Sequence, residues 1–231
     1  MDIDDHDWPG TAIAFLTDLS ENNNRSWFDA CKHRYREAVA APAARCRDEL
    51  TVLLEGAAGC PMDGRIFRLA RDMRFARPDD PPYHPWLRMA FRAPHRATAC
   101  YLSIEPAGVR FGVGVIAFDK ALLTAWRNAV ASPAASALAP AEQRLIDAGW
   151  RIDPPELRRL PRGLDADGAP ARWLRYKQFS AWRHTCGSPF RSRRDLQTWC
   201  VAAAEDARPL SDWLGHHLPA ADCAGRPGNG A

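Results

Sequence analysis

The segment from Cys100 to Phe118 limits the fold more than any other part of this chain, because its apolar residues alternate as in β-strands. A tight turn divides it: Glu105-Pro106-Ala107-Gly108 has proline at the second position and glycine at the fourth, which is typical of a type I turn. In the run after the turn, one face carries the side chains of Val109, Phe111, Val113 and Val115. The segment therefore predicts a β-hairpin with one face on an apolar core.

Helical periodicity replaces this alternation on both sides of the hairpin. Upstream, apolar residues repeat at helical spacing over 13–19, and Asn24 is placed to cap a second helix. Downstream, Asp119 is placed to cap a helix, and another helix is expected over 134–148. The last helical region is expected to begin at Ser188.

Shorter strands are expected around the hairpin, over 86–91, 149–153 and 177–185. The whole pattern predicts an α+β fold with N-terminal helices, a central antiparallel β-meander and further helices towards the C-terminus. Residues 1–218 are expected to form a single domain. Residues 219–231 are small, polar and rich in glycine and proline, so we expect a disordered tail there.

The composition is that of an ordinary globular protein, with 46% hydrophobic and 26% charged residues in a chain of 231. No stretch approaches the length and apolarity of a membrane span, and the acidic N-terminus lacks the apolar core of a signal peptide. The seven cysteines are odd in number and include no CxxC pair. These features predict a reduced, cytoplasmic protein without a membrane partner, and they leave the oligomeric state open.

Five arginines recur at every third position from Arg65 to Arg77. A guanidinium keeps its charge and tolerates burial only beside carboxylates, phosphates or carbonyl groups, so the series predicts anionic partners. Those partners are either the protein's own carboxylates or a ligand. The short segment favours a strand, in which Arg71 shares a face with Phe67 and Leu69, and a helix is the alternative.

The centre of this series is a candidate anion clamp. Arg71 and Arg74 would bind the anion, and Asp72 would orient them or act as a catalytic base. The alternative is a structural ion pair that holds a strand in register.

The net charge of +3 is unevenly distributed along the chain. Residues 61–100 carry an excess of four positive charges and residues 151–200 an excess of six, whereas residues 1–60 carry an excess of five negative charges. Arg162 and Lys177 in the second basic block are candidates to join the first block in one ligand site, and solvated surface charges are the alternative. The low net charge makes a small anionic ligand a better expectation than nucleic acid.

A stiff loop with four prolines between positions 78 and 85 follows the arginines. It would present Tyr83 to a ligand and His84 as a catalytic acid or base, unless it is only a rigid connector. Gly112 and Gly114 on the polar face of the hairpin would form a smooth floor for a ligand or for a packed helix.

Familiar cofactor and metal motifs are missing from the sequence. The cysteines and histidines match no zinc spacing, and there is no glycine-rich phosphate loop and no hydrolase motif. We therefore expect neither a metal nor a cofactor.

The chain resembles the domain-of-unknown-function family 2461, because four segments follow in the family's order: LSENNNRSWFDACKHRYREAVAAP, IFRLARDMRFARPDDPPY, YLSIEPAGVRFGVGV and LRRLPRGLDADGAPARWLRYK. The resemblance covers residues 10–215. It implies a single α+β domain with antiparallel strands and no established activity. Asp80 and His84 stand where the family carries lysine, which implies a weaker anion contact at these two positions.

These observations lead to an expected function, the binding of a small phosphate or carboxylate ligand through an arginine-rich site. They leave open whether the protein is an enzyme. One alternative is a nucleic-acid-binding module that uses the two basic blocks. Another is a structural or partner-binding protein whose arginines are paired internally.

Overall fold

A computed structural model describes residues 8–74, 77, 79–164 and 167–220. Its helices are α1 (Gly10–Glu21), α2 (Arg25–Ala30), α3 (Lys32–Tyr35), a π-helical segment (Arg36–Ala40), α4 (Ala41–Ala58), α5 (Lys120–Val130), α6 (Ala135–Asp147), α7 (Gly168–Trp173), α8 (Arg193–Asp206) and α9 (Arg208–His217). Its strands are β1 (Asp63–Ile66), β2 (Leu87–Arg92), β3 (Ala99–Glu105), β4 (Gly108–Val115), β5 (Arg151–Ile152) and β6 (Phe179–His184).

The strands form one sheet in the order β1-β2-β3-β4-β6-β5, and every neighbouring pair is antiparallel. The first four strands are the predicted meander. The predicted hairpin is β3 and β4, closed by the pair of Glu105 and Gly108. Gly108 has φ +142°, and a Cβ there would lie 2.2 Å from the carbonyl oxygen of Thr185, so the turn requires glycine at this position.

The helices pack against one face of this sheet. Their buried residues join one apolar cluster with the inward residues of β2, β3 and β4, among them Phe91, Leu102 and Phe111. On β4 the alternation is the predicted one, with Val109 and Val113 also in the core. The α+β prediction is confirmed.

Two helix caps lie at the predicted residues, and the start of the last helical region differs from the prediction. The side-chain oxygen of Asn24 accepts from the Trp27 N–H, and that of Asp119 accepts from the Leu122 N–H, as predicted. The last helical region begins at Arg193 rather than at Ser188. Ser192 is the cap, because its hydroxyl accepts from a backbone N–H of the first turn.

The predicted strand over the arginine series is wrong beyond its first residues. β1 ends at Ile66; after it the chain makes one further ladder bond, from the Phe67 N–H to the Arg88 oxygen, and a single bridge between Ala70 and Tyr83. The segment opposite contains the prolines of the loop before β2, and proline has no N–H to donate, so a ladder cannot continue along it. Residues 75, 76 and 78 lie outside the described residues.

Among the described helices, none is both long enough and apolar enough to cross a membrane. The predicted tail, residues 219–231, lies almost entirely outside the described residues and stays a prediction.

Candidate functional site

The face of the sheet opposite the helices carries arginine, hydroxyl and aromatic side chains, and we call it the polar face. The register places Arg88 on β2 opposite Ser103 on β3, and Ser103 opposite Arg110 on β4. The next row on the same face contains Tyr101, Gly112 on β4 and Trp182 on β6. The rows bring together residues that are nearly 100 positions apart in sequence.

A cleft of about 260 Å³ lies on this face, and we call it the arginine cleft. It is lined by Phe67, Trp86, Arg88, Met89, Tyr101, Leu102, Ser103, Glu105, Arg110, Ile116 and Trp182. The lining combines two guanidinium groups with several aromatic rings, which is a composition suited to ligand binding.

One carboxylate lies between the two guanidinium groups of the cleft. Glu105 Oε1 is 3.8 Å from Arg88 Nη2 and 3.6 Å from Arg110 Nη1. The buried Ser103 hydroxyl donates to the same oxygen at 2.7 Å and fixes its position. Two positive charges thus share a single negative charge, and neither arginine makes a short hydrogen bond to it.

Aromatic rings support both arginines. The Arg88 guanidinium carbon lies 4.0 Å from the Trp86 ring centroid, and that of Arg110 lies 4.7 Å from the Trp182 ring centroid. Burial lowers the pKa of Arg88, with Glu105 and Arg110 acting in opposite directions on it. The Nε of Arg110 is buried and has no hydrogen-bond partner among the described residues.

Gly112 makes room for Trp182 on the polar face. A Cβ at Gly112 would lie 2.3 Å from Cε3 of the Trp182 ring, so the ring rests directly on the glycine backbone. Trp182 Nε1 donates to the Ser180 hydroxyl at 3.0 Å, and the ring centroid of Tyr101 is 5.9 Å away. A side chain of the neighbouring strand, rather than a helix, covers the predicted glycine floor.

A comparison with protein families identifies the family of the chain. The sequence profile of the conserved hypothetical proteins DUF2461 matches residues 11–213. The chain belongs to the DUF2461 family. The match spans every strand of the sheet and so the whole arginine cleft. Comparisons with curated proteins and with solved structures found no match.

In this DUF2461 protein, His84 and Arg71 lie at the border of the arginine cleft. The His84 ring stacks on Trp86 at 4.4 Å, and burial followed by the charges of Arg71 and Arg88 lowers its pKa. Arg71 Nε donates to the Pro81 oxygen at 3.1 Å, and its Nη1 is 4.0 Å from Asp80 Oδ2. The Pro81 carbonyl thus accepts one hydrogen bond from Arg71, and the Asp80 carboxylate offsets part of its charge.

Asp72 and Arg74 form an exposed ion pair. Arg74 donates to both carboxylate oxygens of Asp72, at 2.9 and 2.6 Å. Hydrogen bonds from the Arg74 side chain and backbone lower the pKa of Asp72 to about 2. A carboxylate with so low a pKa is a weak base at neutral pH, so the predicted catalytic role of Asp72 gains no support from this geometry.

Tyr83 packs the proline-rich loop against the N-terminal helices. Its ring stacks on Phe28 with centroids 4.1 Å apart. Its backbone N–H donates to Asn23 Oδ1 at 3.1 Å, and its carbonyl accepts from Asn23 Nδ2 at 2.8 Å. These contacts position His84, the next residue, beside the cleft.

Arg162 and Lys177 lie away from the other predicted residues. Lys177 is exposed and precedes β6, whose Phe179 pairs with Val115 at the end of β4. The loop with Arg71 leaves the sheet at the other end, where β4 begins. Arg162 lies in an exposed turn between β5 and α7.

Sequence reasoning did not select the residues at the centre of the cleft, which are Arg88, Ser103, Glu105, Arg110 and Trp182. The alternation of β4 does place Arg110 on the face of Gly112, which was a usable signal. The partners of Arg110 follow only from the register of three strands, which the sequence does not reveal.

Within the described part of the chain, no group of three or more histidine, cysteine, aspartate or glutamate residues is arranged to hold a metal ion. The expected absence of a metal and of a cofactor stays a prediction.

Proposed function

We propose that this DUF2461 protein binds a small anionic ligand, a phosphate or a carboxylate, in the arginine cleft. One observation carries the proposal. Arg88 and Arg110 share the single carboxylate of Glu105 at 3.8 and 3.6 Å, which is too far for short hydrogen bonds. Their N–H groups can therefore serve the oxygen atoms of a ligand, and charge-assisted bonds of this kind are the strong ones.

The electrostatics around the cleft support the same proposal. The charges of Arg88, Arg110 and Glu105 leave the cleft with a net charge of one positive unit from these three side chains. On one side, Arg88 contributes to the lowered pKa of His84, after burial and Arg71. On the other side, the pKa of His184 is lowered by burial and then by Arg110 and Arg151. Burial is the main cause of both lowered pKa values, and the arginine charges add to it. The arginine contribution on two sides of the cleft reflects a positive field, which favours an anion between them.

His84 gives the proposed site an imidazole that can accept or donate a proton, since it borders the cleft and is partly exposed. The proposal concerns binding, and a reaction on the bound ligand would use His84 as its acid or base.

Isothermal titration calorimetry of the full chain tests the proposal with inorganic phosphate, phosphate monoesters and dicarboxylates. We expect binding by the wild type and a loss of about tenfold or more in affinity for Arg110→Gln and Arg88→Gln, since a charge-assisted hydrogen bond contributes ~1.5–3 kcal/mol.

The matched control is Arg183→Gln. Arg183 is on the strand next to β4 but pairs with Asp206 of α8 at 3.0 Å, on the helix side of the sheet. Its replacement should leave the affinity unchanged. Absence of binding across the panel, or equal binding by Arg110→Gln and the wild type, would contradict the proposal.

A further inference from the structure

Beyond its charge, we infer that the ligand of the arginine cleft carries an aromatic ring that stacks on Trp182. The ligand class is then an aryl or heteroaryl phosphate or carboxylate, of which a nucleoside monophosphate is one example. This inference rests on the proposed function, because it adds a second group to the same ligand.

Trp182 has the geometry of a fixed stacking platform. One side of its ring rests on Gly112, where no side chain intervenes. Its Nε1 is held by Ser180, and Tyr101 flanks it with centroids 5.9 Å apart. The indole is nevertheless only partly buried and lines the cleft. The Arg110 guanidinium also lies against this ring, 4.7 Å from its centroid. A planar ligand would therefore stack on the part of the immobilised indole that faces the cleft beside Arg110, at low entropic cost.

The position of Trp182 relative to the arginines suits a ligand with two different ends. Arg110 and Gly112 are two residues apart on one face of β4, and Trp182 pairs with Gly112. Two such positions on a strand are about 7 Å apart. An anion on Arg88 and Arg110 therefore lies beside a ring on Trp182 when only a few bonds separate the two groups of the ligand.

The remainder of the cleft accommodates the ring. A volume of about 260 Å³ exceeds what a phosphate or carboxylate group alone requires, and the lining also includes the side chains of Phe67, Tyr101 and Ile116. Ligand sites for ring-containing molecules are mostly apolar with a few polar groups that fix the orientation, and this lining has that composition.

Titration calorimetry with two matched pairs of ligands tests the inference: phenyl phosphate against cyclohexyl phosphate, and benzoate against cyclohexanecarboxylate. The members of each pair have the same charge and similar size, and only one can stack. We expect the aromatic member of at least one pair to bind about tenfold more tightly. Equal affinities within both pairs would overturn the inference and leave the proposed function standing, whereas no binding by any ligand would remove both.

Variants of two tryptophans test whether the preference for aromatic ligands comes from the Trp182 ring. In Trp182→Leu both members of a pair lose the support that this ring gives to Arg110, but only the aromatic member also loses a stacking partner. The aromatic preference should therefore disappear, and Trp182→Phe should retain part of it. Trp199→Leu is the control, because Trp199 packs on Phe111 and Phe190 outside the cleft. Thermal melts establish that each variant is folded. A preference that persists in folded Trp182→Leu would contradict stacking on this ring.

A final comparison distinguishes two sources of the same chemistry. Adenosine monophosphate and a single-stranded oligonucleotide of adenosine present the same ring and phosphate. Tighter binding of the mononucleotide assigns the cleft to free nucleotides, and tighter binding of the oligonucleotide assigns it to single-stranded nucleic acid. Binding of either must weaken in Trp182→Leu, and unchanged binding would count against the inference.

Discussion

At the scale of single residues, Glu105 has two roles in the arginine cleft. Its carboxylate offsets part of the charge of Arg88 and Arg110, and so stabilises the free protein. The same charge opposes a ligand anion. Because Ser103 fixes the carboxylate by a hydrogen bond, Glu105 remains close to the ligand position.

Removal of this charge should strengthen anion binding. In Glu105→Gln, we expect the affinity for inorganic phosphate to rise about fivefold, because a unit charge about 5 Å away in a partly hydrated site contributes ~1 kcal/mol. Asp206→Asn makes the same change of charge on the helix side of the sheet and should have little effect. A lower affinity of Glu105→Gln in calorimetry would show that Glu105 assists the ligand instead of opposing it.

His84 should report the occupancy of the cleft through its titration. Burial and the charges of Arg71 and Arg88 lower its pKa below the ordinary 6.5, so the ring is mostly neutral at pH 7. A bound anion favours the protonated ring and should raise this pKa. By linkage, the affinity should increase as the pH falls through the pKa of the ligand-bound ring, and it should level off below the lowered pKa of the free ring. NMR titration of the His84 ring protons with and without phosphate measures both effects.

Variants of Arg71 and Arg74 test whether charge causes the lowered pKa of His84. In the free protein, Arg71→Gln should raise the pKa of His84 because one of the named charges is removed. Arg74→Gln should leave the pKa of His84 unchanged, since Arg74 is paired with the carboxylate of Asp72. A His84 pKa that does not respond to Arg71→Gln would refute the electrostatic explanation.

At the scale of elements, the connection from β1 to β2 is held by a single backbone bridge and by side chains, instead of a continuous strand ladder. Asn23 forms two hydrogen bonds with the backbone of Tyr83, in the way a neighbouring strand would. The stack of Tyr83 on Phe28 adds an apolar contact to the same helical region. The N-terminal helices thus determine where the border of the cleft lies.

Asn23→Ala should therefore destabilise the protein by ~1–3 kcal/mol, because a half-buried backbone N–H and carbonyl each lose their partner. Asn22→Ala is the control, since the Asn22 amide donates only to the exposed Asp18 carbonyl of its own helix. Urea denaturation measures the difference between the two variants. Equal stabilities would mean that water replaces Asn23 without cost.

The elements also show how far the sequence predicted the structure and why it stopped. Alternation within β4 correctly divided core residues from polar-face residues, because a period of two is a local property of a strand. The strand predicted over the arginine series failed beyond Ile66 because the segment opposite it contains prolines. In that segment the Tyr83 backbone bonds to the side chain of Asn23, about 60 residues away, instead of to another strand.

The candidate site was predictable in part for the same reason. His84 was predicted to lie in a stiff proline-rich loop and does so, since proline restricts the backbone locally. Arg71 was predicted to lie in a strand, which ends before it at Ile66. Arg88, Glu105 and Trp182 meet only through the register of β2, β3, β4 and β6. Register is determined by the packing of the whole sheet, and a single sequence does not state it.

At the scale of the whole molecule, an ion pair connects the N-terminal and C-terminal helices. Arg193 of α8 donates to both oxygens of Glu49 on α4 at 2.9 and 3.2 Å, and Gln197 donates at 2.7 Å. Burial raises the pKa of Glu49, but the hydrogen bonds and the charges of Arg193 and Arg45 together lower it below its ordinary value.

This contact predicts a pH-dependent part of the stability. A depressed carboxylate pKa stabilises the fold above the unfolded value of 4.5 and loses that contribution as the pH falls through the folded value. Glu49→Gln should lower the free energy of unfolding at pH 7 by ~0.5–1 kcal/mol, a modest amount because the Glu49 side chain is about half exposed. The difference from wild type in urea denaturation should shrink below about pH 4.5. A constant difference across pH would contradict the assignment.

Strand β4 serves two surfaces at once, since Phe111 and Val113 lie in the core while Arg110 and Gly112 lie on the polar face. Deletion of a single residue between them would exchange these roles, placing a guanidinium in the core and a phenyl ring in solvent. Substitution of Arg110 would alter the polar face and leave the core residues of this strand in place, whereas a change of length would disrupt both faces.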